Sequence, residues 1–374
     1  MPWKEVSVMS LRQEFVALAQ ADGANVRELC HRFGISPTTG YKWLSRFRRD
    51  GEAGLCDLPR RPHTSPLRTP SAVEELVLRL RDEHPAWGGR KLRRRLLDVG
   101  YKELPSPSTI TAILKRHNRI SPDESPKHKA FVRFEHEAPN ELWQMDFKGH
   151  FATDSGRCHP LTVLDDHSRF LLAVDACSDE TGQTVTRCLT KVFRRYGTPE
   201  RMLMDNGSPW NTDSDFLYTP FTLWLMRLGI RVSHGRPRHP QTQGKDERLH
   251  RTLMAEAIRG RSFKDIPHCQ RVFDDFRDTY NTKRPHQALD FATPISRYHV
   301  STRAFPEVLP PIEYSPSDIL RKVQAKGEIS FHGREFKVGR AFRGFHVALR
   351  PTTTDGLWDV FFLVHKVAHI DLRL

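Results

Sequence analysis

The chain has 374 residues, which is long enough for more than one folded domain. Its 38% hydrophobic and 28% charged residues are ordinary proportions for a globular protein and exclude disorder along the whole chain. The formal net charge of +14 favours a polyanionic partner, for which nucleic acid is the commonest candidate.

Residues 1–55 have the apolar spacing of three short helices. We expect Ser10 to cap the first helix, which runs to Ala19, and Ser36 to cap the third, which starts at Pro37. Two short helices, a glycine turn and a polar third helix are typical of a helix-turn-helix DNA-binding domain, although any small helical bundle would give the same pattern. The residues expected to contact DNA are Thr38, Thr39, Lys42, Ser45 and Arg46.

Residues 56–70 are rich in proline and arginine, which predicts a semi-rigid basic linker. Residues 71–120 then form a second helix-turn-helix-like domain, in which we expect Ser71 to cap the first helix. Ser106-Pro107 repeats the Ser36-Pro37 start of the third helix, although shared capping chemistry alone could produce the similarity. The residues expected to contact DNA here are Arg90, Lys91, Arg93, Arg94, Ser108, Thr109 and Lys115.

The positive charge is concentrated in this first third of the chain. Residues 1–120 carry 22 Lys and Arg against 13 Asp and Glu, a net charge of +9 out of +14. Ordinary solvated surfaces mix both signs more evenly. We therefore expect contacts with DNA phosphates from this region, and an affinity for DNA that falls with salt.

Residues 121–140 read as a second linker, and residues 141–300 alternate strands with helices. Two apolar runs within residues 160–174 flank the turn Asp165-Asp166-His167-Ser168-Arg169, which predicts a hairpin. A hairpin followed by alternating helices and strands predicts a mixed sheet flanked by helices, so the fold class is α/β. Residues 307–374 contain short strands and glycine turns, which predict a small β-barrel.

No apolar run approaches twenty residues, and no basic-then-apolar segment follows Met1. These observations favour a cytoplasmic protein, associated with the nucleoid, over a membrane protein. The six cysteines form no Cys-x-x-Cys pair and have no histidine pair at zinc-finger spacing, so we expect reduced thiols that lie mostly in the core.

Three acidic residues carry the strongest chemical signal in the chain. Asp146 and Asp205 each follow a short apolar run that predicts a buried strand, and Glu247 opens a helix. Three carboxylates on rigid elements suit a pair of hard divalent cations, Mg²⁺ or Mn²⁺. Two such ions can open a phosphodiester bond by activating the attacking oxygen and steadying the leaving one.

Other acids compete for this role. Asp165 and Asp166 are adjacent, and in a turn their side chains would diverge, so we expect them to stabilise the turn. Asp246 lies about 100° from Glu247 around the helix, so only one of the two can face the site.

A family resemblance supports the triad. From Asn140 to Leu289 the chain resembles the integrase-type catalytic core of bacterial insertion-sequence transposases, which are related to retroviral integrases. Five segments carry the resemblance: Leu142-Trp143-Gln144-Met145-Asp146-Phe147, Leu164-Asp165-Asp166-His167-Ser168-Arg169, Asp205-Asn206-Gly207, residues 239–253, and Tyr280-Asn281-x-x-Arg284-Pro285-His286-x-x-Leu289.

The resemblance implies a ribonuclease-H-like core and a D-D-E triad of Asp146, Asp205 and Glu247 that binds two Mg²⁺ or Mn²⁺ ions per active site. It also implies that Lys245, Arg248 and Arg251 contact DNA. In two respects the chain departs from the wider superfamily. The 42-residue separation of Asp205 and Glu247 is long, which we ascribe to a polar insertion at residues 210–217, and the zinc-binding module of retroviral integrases is absent.

The leading hypothesis is therefore a multimeric DNA transposase that binds the inverted-repeat ends of a mobile element and transfers them to target DNA. The alternatives are a non-catalytic DNA-binding regulator derived from a transposase, and a nuclease that cuts without joining.

Overall fold

The computed structural model describes residues 7–58, 68–120, 135–205, 207, 210, 218–234 and 244–373. Its internal contacts divide the chain into two compact units, residues 1–68 and 69–374. Most of both predicted linkers, residues 211–217 of the predicted insertion, and the loop before Gly244 lie outside the described residues. Within the described residues, no helix is long and apolar enough to cross a membrane.

The first unit contains α1 (Val8–Ala19), α2 (Val26–Arg32) and α3 (Pro37–Asp50), followed by a 3-10 turn. Ser36 caps α3 by accepting a hydrogen bond from the Thr39 amide, as predicted. The prediction for Ser10 was wrong, because Ser7 is the N-cap and accepts from the Ser10 amide at 3.1 Å. A second serine one turn earlier lets the helix begin sooner than its apolar spacing indicates.

The second unit begins with α4 (Ser71–Glu83), α5 (Gly89–Asp98) and α6 (Pro107–Arg116). Ser106 caps α6 as predicted. Ser71 is not a cap, because it already lies inside α4 and the cap position is taken by Pro70, which makes no side-chain cap bond. These helices enclose a small apolar core of Val77, Trp87, Leu92, Leu96, Ile110, Ile113 and Leu114.

A six-stranded mixed sheet forms the centre of this unit. Its strands are β1 (Leu142–Phe147), β2 (Phe151–Thr153), β3 (Gly156–Asp165), β4 (Leu171–Cys177), β5 (Arg201–Met204) and β6 (Arg231–His234). They lie in the order β2-β3-β1-β5-β6, with β4 also paired to β3. The β1–β3 and β3–β4 pairs are antiparallel, whereas β1–β5 and β5–β6 are parallel. The predicted hairpin and mixed sheet are therefore confirmed.

Helices cover both faces of the sheet. One face packs against α7 (Gly182–Tyr196) and α8 (Pro220–Arg227) in a common apolar cluster. The other packs against α9 (Gly244–Leu253), a π-helical turn (Met254–Ile258) and α10 (Ile266–Thr282). This arrangement is the ribonuclease-H-like α/β core that the resemblance implies.

The C-terminal region is an antiparallel β structure with strands β7 (Ile319–Lys322), β8 (Glu328–Phe331), β9 (Arg334–Lys337), β10 (His346–Pro351), β11 (Leu357–Phe362) and β12 (His365–Asp371). They form a four-stranded sheet, β12-β11-β10-β7, and a β8–β9 hairpin around one apolar core. Strand β11 ends at Phe362, and the chain turns at Leu363, whose φ is 56°, to pair antiparallel with β12. No glycine or asparagine marks that turn in the sequence.

The cysteines match the prediction of reduced core thiols. All six are free; five are buried and only Cys56 is exposed. Cys177 and Cys188 lie in the same apolar cluster as α7 and α8.

Candidate active site

Strand pairing brings two of the three predicted acids to one edge of the sheet. Trp143 pairs with Met202 and Gln144 with Leu203 in the parallel β1–β5 ladder. Continuing that register by two residues places Asp146 level with Asp205, which directly follows β5. Both side chains are partly buried, so their carboxylates share a site with limited access to water.

The two carboxylates interact electrostatically. Burial, followed by the negative charge of Asp205, raises the pKa of Asp146 to about 7. Glu180, in the connection before α7, adds to this effect. Asp146 therefore lies where burial and neighbouring carboxylates both disfavour its ionised form.

His250 is a neighbour of Asp146 that is not among the predicted metal ligands or DNA contacts. Its Nδ1 lies 3.9 Å from Asp146 Oδ2, and its Nε2 lies 2.9 Å from Thr162 Oγ1. Thr162 Oγ1 donates its proton to the Asp146 carbonyl oxygen at 3.0 Å, so Nε2 must carry the hydrogen shared with Thr162. Burial and Lys148 lower the pKa of His250 to about 4, which leaves Nδ1 as an acceptor facing Asp146.

The helix α9 presents its two acids in different directions. Asp246 is only 2% exposed, and burial, with Asp146 and Asp166 adding to it, raises its pKa well above its usual range. Glu247 is exposed. Of the two, the structure therefore directs Asp246 into the protein and leaves Glu247 accessible from solution.

The three predicted ligands are not gathered into a ready-made cluster. Among the residues that the structure describes, no three His, Cys, Asp or Glu side chains stand close enough together to hold a metal ion. Asp146 and Asp205 lie close enough for their charges to interact. Glu247 lies on α9, and that helix contacts β1.

The donor set nevertheless fits a hard divalent cation. Asp146 and Asp205 offer carboxylate oxygens, which Mg²⁺ and Mn²⁺ prefer. A bound cation would offset both the burial and the like charge that raise the pKa of Asp146. Glu247 is exposed on α9, and its part in the site stays a prediction.

The adjacent acids Asp165 and Asp166 have separate roles. Asp165 accepts hydrogen bonds from the Ser168 amide and hydroxyl and from the Asn140 amide, which confirms its predicted place in the turn. Asp166 is not a turn residue alone, because its carboxylate is buried and pairs with Lys245. The prediction that both acids only stabilise the turn was therefore incomplete.

Lys245 does not occupy the position expected of a DNA contact. Its ammonium group pairs with Asp166, and its side chain is 19% exposed. Burial and Arg169 lower the pKa of Lys245, while Asp166 opposes this effect. Reaching a phosphate would require Lys245 to abandon a buried carboxylate. Arg248 and Arg251, further along α9, are exposed.

In the first unit, the side chains predicted to contact DNA are not equally available. Thr38, Lys42 and Ser45 are exposed on α3. Thr39 shares a 2.9 Å hydrogen bond with the hydroxyl of the cap Ser36. Arg46 donates to the Cys56 carbonyl and stacks 4.8 Å from the Trp43 ring centre, so its guanidinium is held inside the unit.

In the second unit, Arg90, Ser108, Thr109 and Lys115 are exposed. Arg93 donates to the Pro105 carbonyl oxygen, and Arg94 pairs with Asp98 at 2.8 Å. Burial, and then the charge of Arg284, lower the pKa of Lys91 to about 7. Lys91 therefore borders the sheet domain and is not a simple solvent-exposed cation.

The expected polar insertion begins differently from the prediction. Trp210 is 1% exposed, and its ring stacks on Phe147 with the ring centroids 5.8 Å apart. The residue thus supports the strand end next to Asp146. A tryptophan inside an otherwise polar run was the signal that could have revealed this role.

Known protein families match successive parts of this chain. A helix-turn-helix domain matches residues 11–63 and a homeodomain-like domain matches residues 39–114. Two integrase core domain families match residues 136–240 and 228–294. The C-terminal domain of the IS481 family of transposases matches residues 318–374.

Several curated proteins are similar over part of their length. An uncharacterized 31.7 kDa protein of insertion element IS407 from Burkholderia multivorans is 28% identical over 159 residues, which is 42% of this chain and 54% of the relative. A 39.2 kDa protein of insertion element IS476 from Xanthomonas euvesicatoria is 24% identical over 60% of this chain and 64% of its own. The transposase of IS904 from Lactococcus lactis is 25% identical, over 48% and 70%. The chain thus spans little more than half of the first two relatives.

Among solved structures, the catalytic core domain of HTLV-2 integrase in complex with magnesium aligns with a TM-score of 0.33 and 16% identity, covering 44% of this chain and 99% of that one. The simian T-cell lymphotropic virus intasome structure aligns with a TM-score of 0.39 and 16% identity, covering 80% and 96%.

Proposed function

We propose that this chain is a bacterial insertion-sequence transposase with an integrase-type core, which cleaves DNA at the ends of a mobile element and joins those ends to target DNA. The observation that carries the proposal is the pair Asp146 and Asp205, which the parallel β1–β5 register brings level and in which burial and the neighbouring charge raise the pKa of Asp146.

In this proposal, different residues of the chain bind the metal ions and position the site. Asp146 and Asp205 hold the cations, with Glu247 as the third ligand. Bound Mg²⁺ or Mn²⁺, two ions per site, would activate the attacking water or 3′-hydroxyl oxygen and stabilise the leaving oxygen. Thr162 on β3 supports the Asp146 segment by donating to the Asp146 carbonyl oxygen at 3.0 Å, and His250 on α9 bonds to Thr162 at 2.9 Å.

The helical regions supply DNA binding. Exposed Lys42 on α3 and Lys115 on α6 are placed to contact phosphates, and exposed Thr38, Ser45 and Thr109 to contact base edges. A joining reaction needs two element ends, so we expect a multimer that brings two active sites to one target. We also expect the protein to be cytoplasmic and to associate with the nucleoid.

The experiment uses the full chain with duplexes made from the inverted repeats that flank its gene, incubated with Mg²⁺. Asp146→Asn should keep the affinity for the duplex and reduce nicking to background, because a ligand oxygen loses its charge. Asp154→Asn, an exposed acid in the β2–β3 turn, is the matched control and should nick at the wild-type rate. Full nicking by Asp146→Asn would remove Asp146 from the site.

Two outcomes separate the alternatives. A wild-type chain that binds the duplex and never nicks it at any Mg²⁺ or Mn²⁺ concentration is a regulator. A chain that nicks but yields no products joined to a target plasmid is a nuclease. Joined products establish a transposase.

A further inference from the structure

A buried ion pair joins Asp166, in the turn after β3, to Lys245 on α9, and the same carboxylate accepts a hydrogen bond from Gln144 on β1. We propose that Asp166 is a positioning residue: through Lys245 it fixes the first turn of α9, and with it Glu247, relative to Asp146 on β1. The inference rests on the proposed function, because it assigns these residues to the same site.

The surroundings of Asp166 are those of a structural anchor. Its side chain is 1% exposed, and its Oδ1 accepts from Gln144 Nε2 at 2.6 Å as well as from Lys245. Its Oδ2 accepts from the His136 amide at 3.0 Å. Three donors from three segments of the chain therefore meet on one carboxylate, which leaves it little freedom to move.

The donors are placed to transmit position to the site. Gln144 precedes Asp146 by two residues on β1, so the two side chains lie on the same face of the strand. Lys245 precedes Glu247 by two residues in the first turn of α9. A displacement of Asp166 would therefore alter the spacing between both elements at once.

The apolar contacts of α9 cannot do this alone. Leu249 and Leu253 bury one side of the helix in the cluster beneath the sheet. Burial of apolar surface is non-directional, so it selects the buried side but tolerates small rotations and shifts along the axis. A charge-assisted hydrogen bond has a defined length and direction. The Lys245–Asp166 bond lies in the first turn of α9, close to Glu247.

The alternative role for Lys245 is the DNA contact suggested by the family resemblance. The two roles predict different measurements. A phosphate contact contributes to the salt dependence of DNA affinity, with about 0.9 of slope per contact. A positioning residue leaves that slope unchanged and alters metal binding and the cleavage rate at saturating DNA.

The test compares Lys245→Met and Asp166→Asn in the full chain. Mn²⁺ affinity is measured by electron paramagnetic resonance without DNA, and cleavage is measured at saturating duplex. Both variants should weaken Mn²⁺ binding and slow cleavage by about 10–100-fold, the usual cost of losing a partner that orients a metal ligand. The salt slope for duplex binding should stay at the wild-type value.

Two further variants act as controls. Arg251→Met removes an exposed cation from the same helix, so it should reduce the salt slope while Mn²⁺ affinity stays at the wild-type value. Lys245→Arg keeps the charge and should recover part of the lost Mn²⁺ affinity. The double variant Lys245→Met/Asp166→Asn should be no worse than the worse single variant, because both break the same link.

Several results would overturn the inference. Wild-type Mn²⁺ affinity and cleavage in Lys245→Met would do so, as would a reduced salt slope with an unchanged cleavage rate. Failure of both single variants to fold, shown by the loss of a thermal transition, would assign the pair to the fold and not to the site. If the wild-type chain cleaves no DNA, the proposed function fails, whereas the Mn²⁺ measurement still decides the inference.

Discussion

At Asp146, the proposed metal ligand, the folded chain holds a carboxylate where its charge is unfavourable. Burial, followed by the charge of Asp205, raises the pKa of Asp146 to about 7. The folded state therefore binds this proton more tightly than the unfolded state, whose aspartate has its ordinary pKa near 3.8. Stability of the metal-free protein should fall as the pH rises between these two values.

A stability measurement checks this sign. In EDTA at pH 8, Asp146→Asn should be more stable than the wild type by about 2–4 kcal/mol, because the amide carries no charge. At pH 4 the difference should fall below about 1 kcal/mol, since Asp146 is then protonated in the folded wild type and largely protonated in the unfolded chain. Thermal unfolding at both pH values tests the prediction, and equal melting temperatures for the two chains at pH 8 would contradict it.

For individual acidic residues, the sequence predicted their positions in the secondary structure better than the residues that surround them. Asp146 and Asp205 were placed correctly because strand ends are visible as apolar runs followed by a carboxylate. The burial of Asp246 and the Lys245–Asp166 pair were missed. They depend on contacts between residues nearly 80 positions apart, which no local pattern records. The metal role of Glu247 stays a prediction.

Among the elements, the start of α5 shows how closely two helices can approach. A Cβ atom at Gly89 would collide with the Pro107 carbonyl and the Thr111 hydroxyl of α6, whereas at Gly88 nothing lies within 4 Å. Glycine at position 89 therefore sets the distance between the two helices, and its neighbour does not.

Matched alanine substitutions test this difference. Gly89→Ala should destabilise the second unit by about 1–3 kcal/mol, the usual cost of overpacking, despite the better helix propensity of alanine. Gly88→Ala should cost less than about 1 kcal/mol. Chemical denaturation measures both free energies of unfolding, and equal losses would show that the helices can separate freely.

The motif Tyr280-Asn281-x-x-Arg284-Pro285-His286-x-x-Leu289, which starts near the end of α10, connects neighbouring elements. Asn281 donates to the Leu171 carbonyl and accepts from its amide, which fastens α10 to the start of β4. Arg284 pairs with Glu256 of the π-helical turn at 3.0 Å, with both side chains less than 10% exposed. The motif thus joins three elements behind the site.

Arg284→Met should therefore cost about 3–5 kcal/mol, because it leaves the Glu256 carboxylate buried and unpaired. The adjacent Lys283→Met removes an exposed pair with Asp278 and should cost less than about 1 kcal/mol. Denaturant titrations of the two variants give the comparison; similar losses would mean that the Glu256 charge finds another partner.

Element type was predicted more reliably than element ends. Apolar periodicity predicts the helices and the central strands. It does not predict the caps of α1 and α4 or the turn at Leu363. Neighbouring serines offer competing cap positions, and a turn without glycine leaves no compositional mark. Strand β7 was also missed, because it is short and only partly buried.

On the scale of the whole molecule, charge separates the two tasks of the chain. Residues 1–120 hold a net charge of +9, and the acids that the site needs lie in the sheet domain. In the proposed function, a basic region that binds phosphates independently of sequence would bring DNA to an acidic site that would otherwise repel it.

The affinity for an element-end duplex should consequently depend steeply on salt. The slope of log affinity against log salt should be about −4 or steeper, which corresponds to at least about four phosphate contacts. Fluorescence anisotropy between 50 and 200 mM KCl, on the order of a fourfold range in salt, measures it. A slope near zero would mean that the basic region does not bind DNA phosphates.

The apolar core of the C-terminal strands extends onto α8. Leu223 and Met226 of α8 lie in the same buried cluster as Val347, Phe342 and Phe362. His365 also faces the Met226 carbonyl across this contact at 3.2 Å. The C-terminal strands and α8 therefore depend on each other to bury apolar surface, and we expect the two regions to be inherited together.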